Sequence, residues 1–162
     1  MLRRVLYIDL TRGESWVEEK HDLFEEWLGG TGVATQLLLK EAPEGVDPLS
    51  PDAPIIFSIG PLSTMFPAMT KTVAQFKSPL TGELGECYAG GRLAMAMRFA
   101  GHESIVIKGR AERPCYISIE NDTVRIRDAT SIWGIGAARV GVILRDVEKG
   151  VGRRSIIRIG PA

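Results

Sequence analysis

The chain has 162 residues, 44% of them hydrophobic and 25% charged, which is typical of one globular domain with a hydrophobic core. We therefore expect a single domain over residues 1–162. Its 20 basic residues equal its 20 acidic residues in number, so the composition provides no net charge that would attract nucleic acid.

The sequence also lacks the features of membrane proteins and cysteine-ligated metal sites. No apolar run reaches about 20 residues, the length of a membrane span, and residues 1–9 contain no long apolar segment like that of a signal peptide. We expect no membrane association and a cytoplasmic location. Cys87 and Cys115 form no Cys-x-x-Cys pair, so we expect no metal site and no iron–sulfur cluster on this chain.

The first part of the chain predicts a β-hairpin followed by two helices. Apolar residues dominate Arg4 to Leu10, and turn residues separate this run from a second extended piece, Ser15 to Glu18. From Asp22 the apolar residues follow a helical period, and after two glycines Thr31 can cap a second helix that ends near Glu41. The intervening Gly-Gly-Thr-Gly follows a helix and lacks the Gly-Lys-Ser/Thr ending of a phosphate-binding loop. We interpret it as a helix-to-helix turn.

The next part contains a long connection and a glycine-rich segment. The predicted order is a proline-rich loop over 42–54, a buried strand over 55–59, a strand over 70–77 and a helix over 92–100. Four glycines and a proline lie within Lys77 to Gly91. Such a segment allows main-chain N–H groups to approach an anion, with the N-terminus of the following helix pointing toward it. The alternative is a structural crossover loop, and spacing alone leaves both interpretations open.

The last part predicts more strands and a helix. Strands are expected over 104–108, 115–120 and 123–128, the last two joined by the turn Asn121-Asp122, followed by a helix over 137–148 and a strand over 154–159. The similarity of Ile56 to Pro61 and Ile156 to Pro161 suggests two similar halves. We predict an α+β fold, with helices inserted into mixed or antiparallel sheets.

The residue types provide little for hydrolytic or metal chemistry. His21 and His102 are the two histidines, and each lies beside a helix end, where an exposed or capping role is common. Glu83 and Glu86 are the carboxylates within the glycine-rich segment, but two glutamates do not make a magnesium or calcium site. Lys71, Lys77 and Arg92 are the nearest cations. We assign no catalytic residue.

Ordered motifs along the whole chain resemble the N-terminal domain of the tungsten-containing aldehyde ferredoxin oxidoreductase family. They are Val-Leu-Tyr-Ile-Asp-Leu-Thr-Arg-Gly, Leu-Gly-Gly-Thr-Gly, Pro-Glu-Gly-Val-Asp-Pro-Leu, Gly-Pro-Leu-Ser-Thr, Lys-Ser-Pro-Leu-Thr-Gly, Ala-Gly-Gly, Phe-Ala-Gly, Ile-Lys-Gly-Arg-Ala, Asp-Ala-Thr-Ser-Ile-Trp-Gly and Ile-Gly-Pro-Ala. Because they follow one order over the full length, the resemblance covers the whole chain.

The resemblance implies a domain on which a tungsten or molybdenum pterin cofactor rests, with a bridging magnesium ion beside its phosphates. The pterin dithiolenes hold the metal, and the cofactor performs the oxidation. The cluster cysteines and acid–base residues of the family lie in later domains, and ferredoxin accepts the electrons. This chain is therefore expected to be the N-terminal part of such an enzyme, either truncated or one piece of a split protein, and not catalytic by itself.

By the same resemblance, Lys71, Tyr88, Gly90 and Gly91 face the pterin. Tyr88 stands where the family usually has an asparagine near the magnesium-linked phosphates, and it cannot supply the amide oxygen. Lys71 stands where the family has an arginine, which keeps the charge and loses the bidentate geometry. The glycines keep the family pattern.

Two other interpretations follow from the same residues. The first is a non-enzymatic binding or assembly module that kept the fold and lost the cofactor contacts, as Tyr88 and Lys71 would suggest. The second is a homo-oligomer in which an exposed sheet edge pairs with a second copy. As an enzyme part, the chain requires a complementary chain or domain as its partner.

Overall fold

The computed structural model describes residues 3–150, 152 and 154–160. Six strands form one sheet in the order β2-β1-β6-β3-β4-β5, and two more form a separate hairpin. The strands are β1 (Arg4–Asp9), β2 (Glu14–Glu19), β3 (Ile55–Ile59), β4 (Thr72–Lys77), β5 (Leu84–Ala89), β6 (Ser104–Lys108), β7 (Cys115–Glu120) and β8 (Thr123–Asp128). The helices are α1 (His21–Trp27), α2 (Gly30–Glu41), α3 (Leu93–Phe99) and α4 (Ala137–Val147), with a 3-10 turn at Thr130–Ile132.

The sheet is mixed because β1 and β6 are parallel, whereas every other neighbouring pair is antiparallel. The predicted α+β fold is confirmed. The predicted hairpins β1–β2 and β7–β8 are also present, and Asn121 adopts the left-handed φ of 52° that the tight turn requires.

Each face of the sheet is covered by different elements. On one face, α1 and α2 pack over a buried cluster that includes Tyr7, Phe24 and Leu37. On the other face, α3 and the β7–β8 hairpin cover a cluster that includes Ile8 and Met97. Since β1 contributes side chains to both clusters, its continuous apolar run is explained by burial on both sides.

Two sequence predictions are wrong. The glycine-rich segment is not one continuous loop, because Leu84–Ala89 within it forms the edge strand β5, paired with β4. The predicted strand over 154–159 does not form, since residues 154–160 lie in no strand. The proposed match between Ile56 to Pro61 and Ile156 to Pro161 therefore pairs a strand with an irregular segment, and Pro161 lies outside the described residues.

Within the described part of the chain, no helix has the length and apolar character needed to cross a bilayer.

Candidate functional site

Three of the four residues expected at the site converge where the β4–β5 hairpin ends. The register pairs Val73 with Tyr88 and Thr72 with Ala89, so Lys71 and Gly90 lie opposite each other just beyond the strands. A Cβ placed on Gly90 would lie 3.7 Å from the Nζ atom of Lys71. The lysine ammonium therefore lies beside a stretch of backbone that carries no side chain.

Tyr88 extends from this hairpin toward the start of α2. Its hydroxyl lies 3.2 Å from the Oγ1 atom of Thr31, within hydrogen-bond distance, and the residue is 54% exposed. Thr31 is in the first turn of α2, where no side chain caps the free main-chain N–H groups. We call Thr31, Lys71, Tyr88, Gly90 and Gly91 the hairpin-end surface.

Glycines allow the start of α2 to approach the end of β3 and the turn at Gly60. A Cβ on Gly29 would lie 3.0 Å from the carbonyl oxygen of Ile59, and a Cβ on Gly30 would lie 3.7 Å from the Cα of Gly60. Both glycines have positive φ, at 138° and 55°. The Gly-Gly-Thr-Gly segment joins α1 to α2, but the predicted turn is shorter than expected because Gly30, Thr31 and Gly32 already lie in the first turn of α2. The predicted cap at Thr31 is wrong, since Gly29 is the N-cap residue and no side chain caps the helix. Thr31 instead lies beside Tyr88.

A buried ion pair supports the turn that α2 approaches. Arg98 donates to Glu103 at 2.5 Å and to the carbonyl oxygens of Gly60 and Pro61 at 3.1 Å each. Glu103 is buried and also accepts from the main-chain N–H of Arg3 at 2.6 Å. Because Arg98 spans from α3 to this turn, it fixes the turn's position relative to the sheet.

The charges around the hairpin-end surface are mixed. Among the described residues, Lys71 has no ion-pair or hydrogen-bond partner. Glu86 lies two positions from Tyr88 on the same face of β5, and its carboxylate accepts from the amide of Gln75 at 3.2 Å. Gln75 in turn accepts from the hydroxyl of Thr35 at 3.0 Å. Glu86 is therefore one end of a hydrogen-bonded chain that reaches Thr35 on α2 through Gln75.

Gly91 follows in the left-handed region, with φ of 83°, and no other atom lies within 4 Å of a Cβ placed there. This conformation turns the chain from β5 into α3, which begins at Leu93. The anion-cradle interpretation stays a prediction, and within the glycine-rich segment the backbone that lies beside Lys71 is that of Gly90.

Among the described residues, neither histidine forms a hydrogen bond to the hairpin-end surface. His21 is exposed and contacts Glu19 at 3.1 Å. His102 is buried, and its Nε2–H donates to the carbonyl oxygen of Asn121 at 2.8 Å. Burial lowers the pKa of His102, while the Asn121 carbonyl partly opposes that shift. His102 therefore has a structural environment in the core.

The cysteines do not come together either. Cys87 is exposed on β5, whereas Cys115 is half-buried at the start of β7, where burial raises its thiol pKa. No group of three or more histidine, cysteine or acidic side chains suited to a metal ion occurs in the described residues.

Two features of the site were missed from the sequence. The sequence predicts Thr31 only as a helix cap and does not indicate the Arg98–Glu103 pair under Gly60. Thr31 and Tyr88 are 57 positions apart. The one local signal for Thr31 was the run of glycines around it, which permits close backbone approach.

A family model described as "Aldehyde ferredoxin oxidoreductase, N-terminal domain" matches residues 5–162. A tungsten-containing aldehyde ferredoxin oxidoreductase of Pyrococcus furiosus is 40% identical over 161 residues, which cover 98% of this chain and 26% of that protein. The aliphatic sulfonate oxidoreductase WOR-like subunit of the same organism is 34% identical over 160 residues, or 96% of this chain and 26% of that protein.

A solved structure of the active-site complex BamBC of benzoyl coenzyme A reductase, bound to 1,5-dienoyl-CoA, has a similar fold. It superposes with a TM-score of 0.85 at 31% identity and covers 90% of this chain and 23% of that chain. The present chain therefore spans about a quarter of the length of the relatives it matches.

Proposed function

The chain belongs to the aldehyde ferredoxin oxidoreductase N-terminal domain family, and from that premise we propose that it forms a pterin-cofactor-binding part of a tungsten or molybdenum oxidoreductase. The observation that most directly supports this proposal is the hairpin-end surface, where the ammonium of Lys71 lies beside the backbone of Gly90. This combination of cation and free backbone suits a ligand that is both flat and phosphorylated.

The residues present fit a pterin. The exposed ring of Tyr88 can contact a planar heterocycle, and glycine at position 90 leaves room for a close approach to the backbone. Lys71 can offset phosphate charge. The cofactor would supply the oxidation–reduction chemistry, and the chain's own residues would bind and orient it.

We propose that a complementary chain or domain completes the enzyme, and that the 162-residue chain alone does not turn over aldehyde. The relatives are about four times longer, which supports a need for further structure. Exposed apolar side chains in α4 and in the segment after it also support a need for further structure. Among the described residues of α4, Gly141 is the one that is buried. More than half of the residue surface is exposed at Val142, Val147, Ile157 and Ile159.

An aldehyde is the proposed substrate class and ferredoxin the proposed electron acceptor, because the first relatives bear those names. Two other similar proteins, the aliphatic sulfonate oxidoreductase subunit and the benzoyl coenzyme A reductase complex, are named for other substrates. The similarity alone therefore does not identify the substrate. The single-domain organisation and the cytoplasmic location stay predictions.

The second candidate is a non-enzymatic binding or assembly module. Tyr88 favours it, because the tyrosine replaces the asparagine that the family resemblance places near the phosphates, and it contacts Thr31 across the surface. A module of this kind would keep the fold and form complexes without a cofactor.

Co-expression with neighbouring genes separates the two candidates. We would purify the complex through this chain and measure tungsten, molybdenum and pterin per chain. Stoichiometric cofactor supports the enzyme part, whereas a stable complex that persistently lacks cofactor supports the module. If the chain alone contained stoichiometric metal and reduced a dye with aldehyde, the proposal that it is inactive by itself would be wrong.

Self-association is the third arrangement. The edge strand β5 presents unpaired main-chain groups on its outer side, which makes pairing with a second copy sterically accessible. Light scattering at high protein concentration tests this arrangement, and a monomer would exclude it.

A further inference from the structure

We infer that α4 and the segment after it form a strap that opens independently of the sheet, and that the carboxylate of Glu148 is the latch that holds the strap closed. The strap is defined as residues 137–148 together with residues 154–160. It includes no residue of the hairpin-end surface, so this inference does not depend on the proposed cofactor.

The described residues of the strap contribute little to the hydrophobic core. Neither of the two buried clusters on the faces of the sheet includes one of them. Gly141 is the described residue of α4 that is buried, and it has no side chain. Elements with few buried apolar contacts open at a lower free energy than core strands. The strap is therefore expected to open while the sheet remains folded.

The segment over 154–160 folds back along α4 and is tied to it by two arginines. Arg154 donates to the carbonyl oxygen of Arg145 at 3.1 Å, near the end of the helix. The guanidinium of Arg158 lies against Gly141, where a Cβ would be 1.5 Å from its Nη1 atom. Because these contacts join the segment to the helix, we expect the two to move together.

A single carboxylate connects the strap to both strands of the β7–β8 hairpin. Glu148 accepts from the hydroxyl of Tyr116 at 2.7 Å and from that of Ser118 at 3.1 Å, and it pairs with Arg127 at 3.2 Å. Tyr116 and Ser118 belong to β7, whereas Arg127 belongs to β8. The hydrogen bond from Tyr116 lowers the pKa of Glu148, so the latch is charged at neutral pH.

The position of this glutamate is unfavourable for the helix itself. Glu148 is the C-cap residue of α4, at the negative end of the helix dipole, where a lysine or an arginine is normally favoured. Helix stability therefore does not explain a carboxylate there. The three donors on the hairpin do explain it, because they compensate its charge and attach the end of the helix.

The hairpin does not need the strap to keep its place. Four apolar side chains of the hairpin pack against the core cluster beside α3, namely Ile117, Ile119, Val124 and Ile126. The latch contacts come instead from Tyr116, Ser118 and Arg127, which alternate with these apolar residues along the strands. The strap can therefore exchange its latch for contacts with another chain or domain without unfolding the sheet.

Amide hydrogen exchange of the full 162-residue chain tests the inference. The amides of residues 141–147, in α4, would be compared with those of β1. An isolated helix of 11 residues is only marginally stable in water, so the amides of α4 exchange when the strap opens. We expect them to be protected at least about a hundredfold less than those of β1, which exchange through global unfolding.

Variants test the latch. Glu148→Ala should lower the protection of the α4 amides by about tenfold, the effect of losing charge-assisted hydrogen bonds, and should leave β1 unchanged. Tyr116→Phe removes one donor from the hairpin and should lower α4 protection a few fold. Added to Glu148→Ala, it should have little further effect, because the contact is already lost. The matched control is Glu120→Ala, which removes a β7 carboxylate paired with Arg125 and should change neither protection.

The inference is overturned if the α4 amides are as protected as those of β1, or if Glu148→Ala behaves like Glu120→Ala. An equal effect of Tyr116→Phe with and without Glu148 would reject the latch. Loss of β1 protection together with α4 protection in Glu148→Ala would show that the strap does not open independently. Unchanged β1 protection verifies that a variant is folded.

Discussion

At the residue scale, the Arg98–Glu103 pair makes the sharpest stability prediction. Arg98→Met would leave the buried carboxylate of Glu103 without its cation and would free two carbonyls of the Gly60–Pro61 turn. Breaking a buried pair in this way costs about 3–5 kcal/mol. Urea unfolding should show a loss of this size. Arg125→Met removes the exposed Arg125–Glu120 pair and should cost under about 1 kcal/mol.

Equal losses in these two variants would contradict the structural role of Arg98. The effect should also reach the hairpin-end surface, since the turn held by Arg98 contacts the start of α2. Amide shifts of Thr31 should therefore change in Arg98→Met and stay constant in Arg125→Met.

His102 predicts a pH dependence of stability. Burial lowers the pKa of His102, so below about 6.5, its ordinary value, the unfolded chain binds the proton more readily than the folded chain. The free energy of unfolding should therefore fall as pH decreases from about 7 to about 5. His102→Gln keeps a donor for the Asn121 carbonyl and should flatten this slope.

Urea unfolding at several pH values provides the measurement. The control is Gly150→Ala, which leaves both histidines in place and should keep the wild-type slope. A wild-type slope that survives in His102→Gln would show that other groups determine the pH dependence.

The sequence predicted some site residues and not others for a clear reason. Lys71, Tyr88 and Gly90 were predicted from motif positions, and the structure brings them to one hairpin end. Whether they bind a cofactor stays a prediction. The Thr31 contact and the Arg98 support could not be predicted, because both depend on tertiary contacts between residues distant in sequence.

At the element scale, Gly32 determines how closely α2 follows α1. A Cβ at this position would lie 2.7 Å from the carbonyl oxygen of Trp27, which is backbone and cannot rotate away. Replacing a helical glycine by alanine normally stabilises a helix by about 1 kcal/mol. Here we expect Gly32→Ala to destabilise the protein by about 1–3 kcal/mol, because the backbone must shift to avoid the clash.

Gly150→Ala is the matched control for thermal or urea unfolding. The nearest atom to a Cβ at this position would be 4.0 Å away, so a near-neutral change is expected. A stabilised Gly32→Ala variant would show that the α1–α2 turn relaxes easily.

Two strands show why propensity alone was insufficient. The sequence pattern does not reveal β5 as a strand, because its side chains are mostly exposed and it contains Gly85, over which the ring of Phe76 packs. The segment 154–160 has the isoleucines typical of a strand but no neighbouring strand in the structure. Strand formation requires a hydrogen-bonded partner as well as a suitable sequence.

At the scale of the whole molecule, the sequence pattern predicts the α+β fold class. It does not predict the order of the strands in the six-stranded sheet. Val5 pairs with Ser104, so two central strands meet across about a hundred residues of chain. No local pattern determines such a pairing. Membership in the family accounts for the architecture.

A pterin cofactor is proposed to lie against the hairpin-end surface. Gly90→Val tests this proposal. A Cβ at position 90 would lie 3.7 Å from the Nζ atom of Lys71, so the protein has room for a side chain there. The same side chain would block a ligand that approaches the backbone. Gly150→Val is the control, away from this surface. Each variant would be co-expressed with the neighbouring genes, and pterin and tungsten or molybdenum would be measured per purified complex.

We predict that the wild-type and Gly150→Val complexes contain stoichiometric pterin and metal, and that Gly90→Val forms the same complex with little of either. A Gly90→Val complex as fully loaded as the control would contradict the claim and place the cofactor elsewhere.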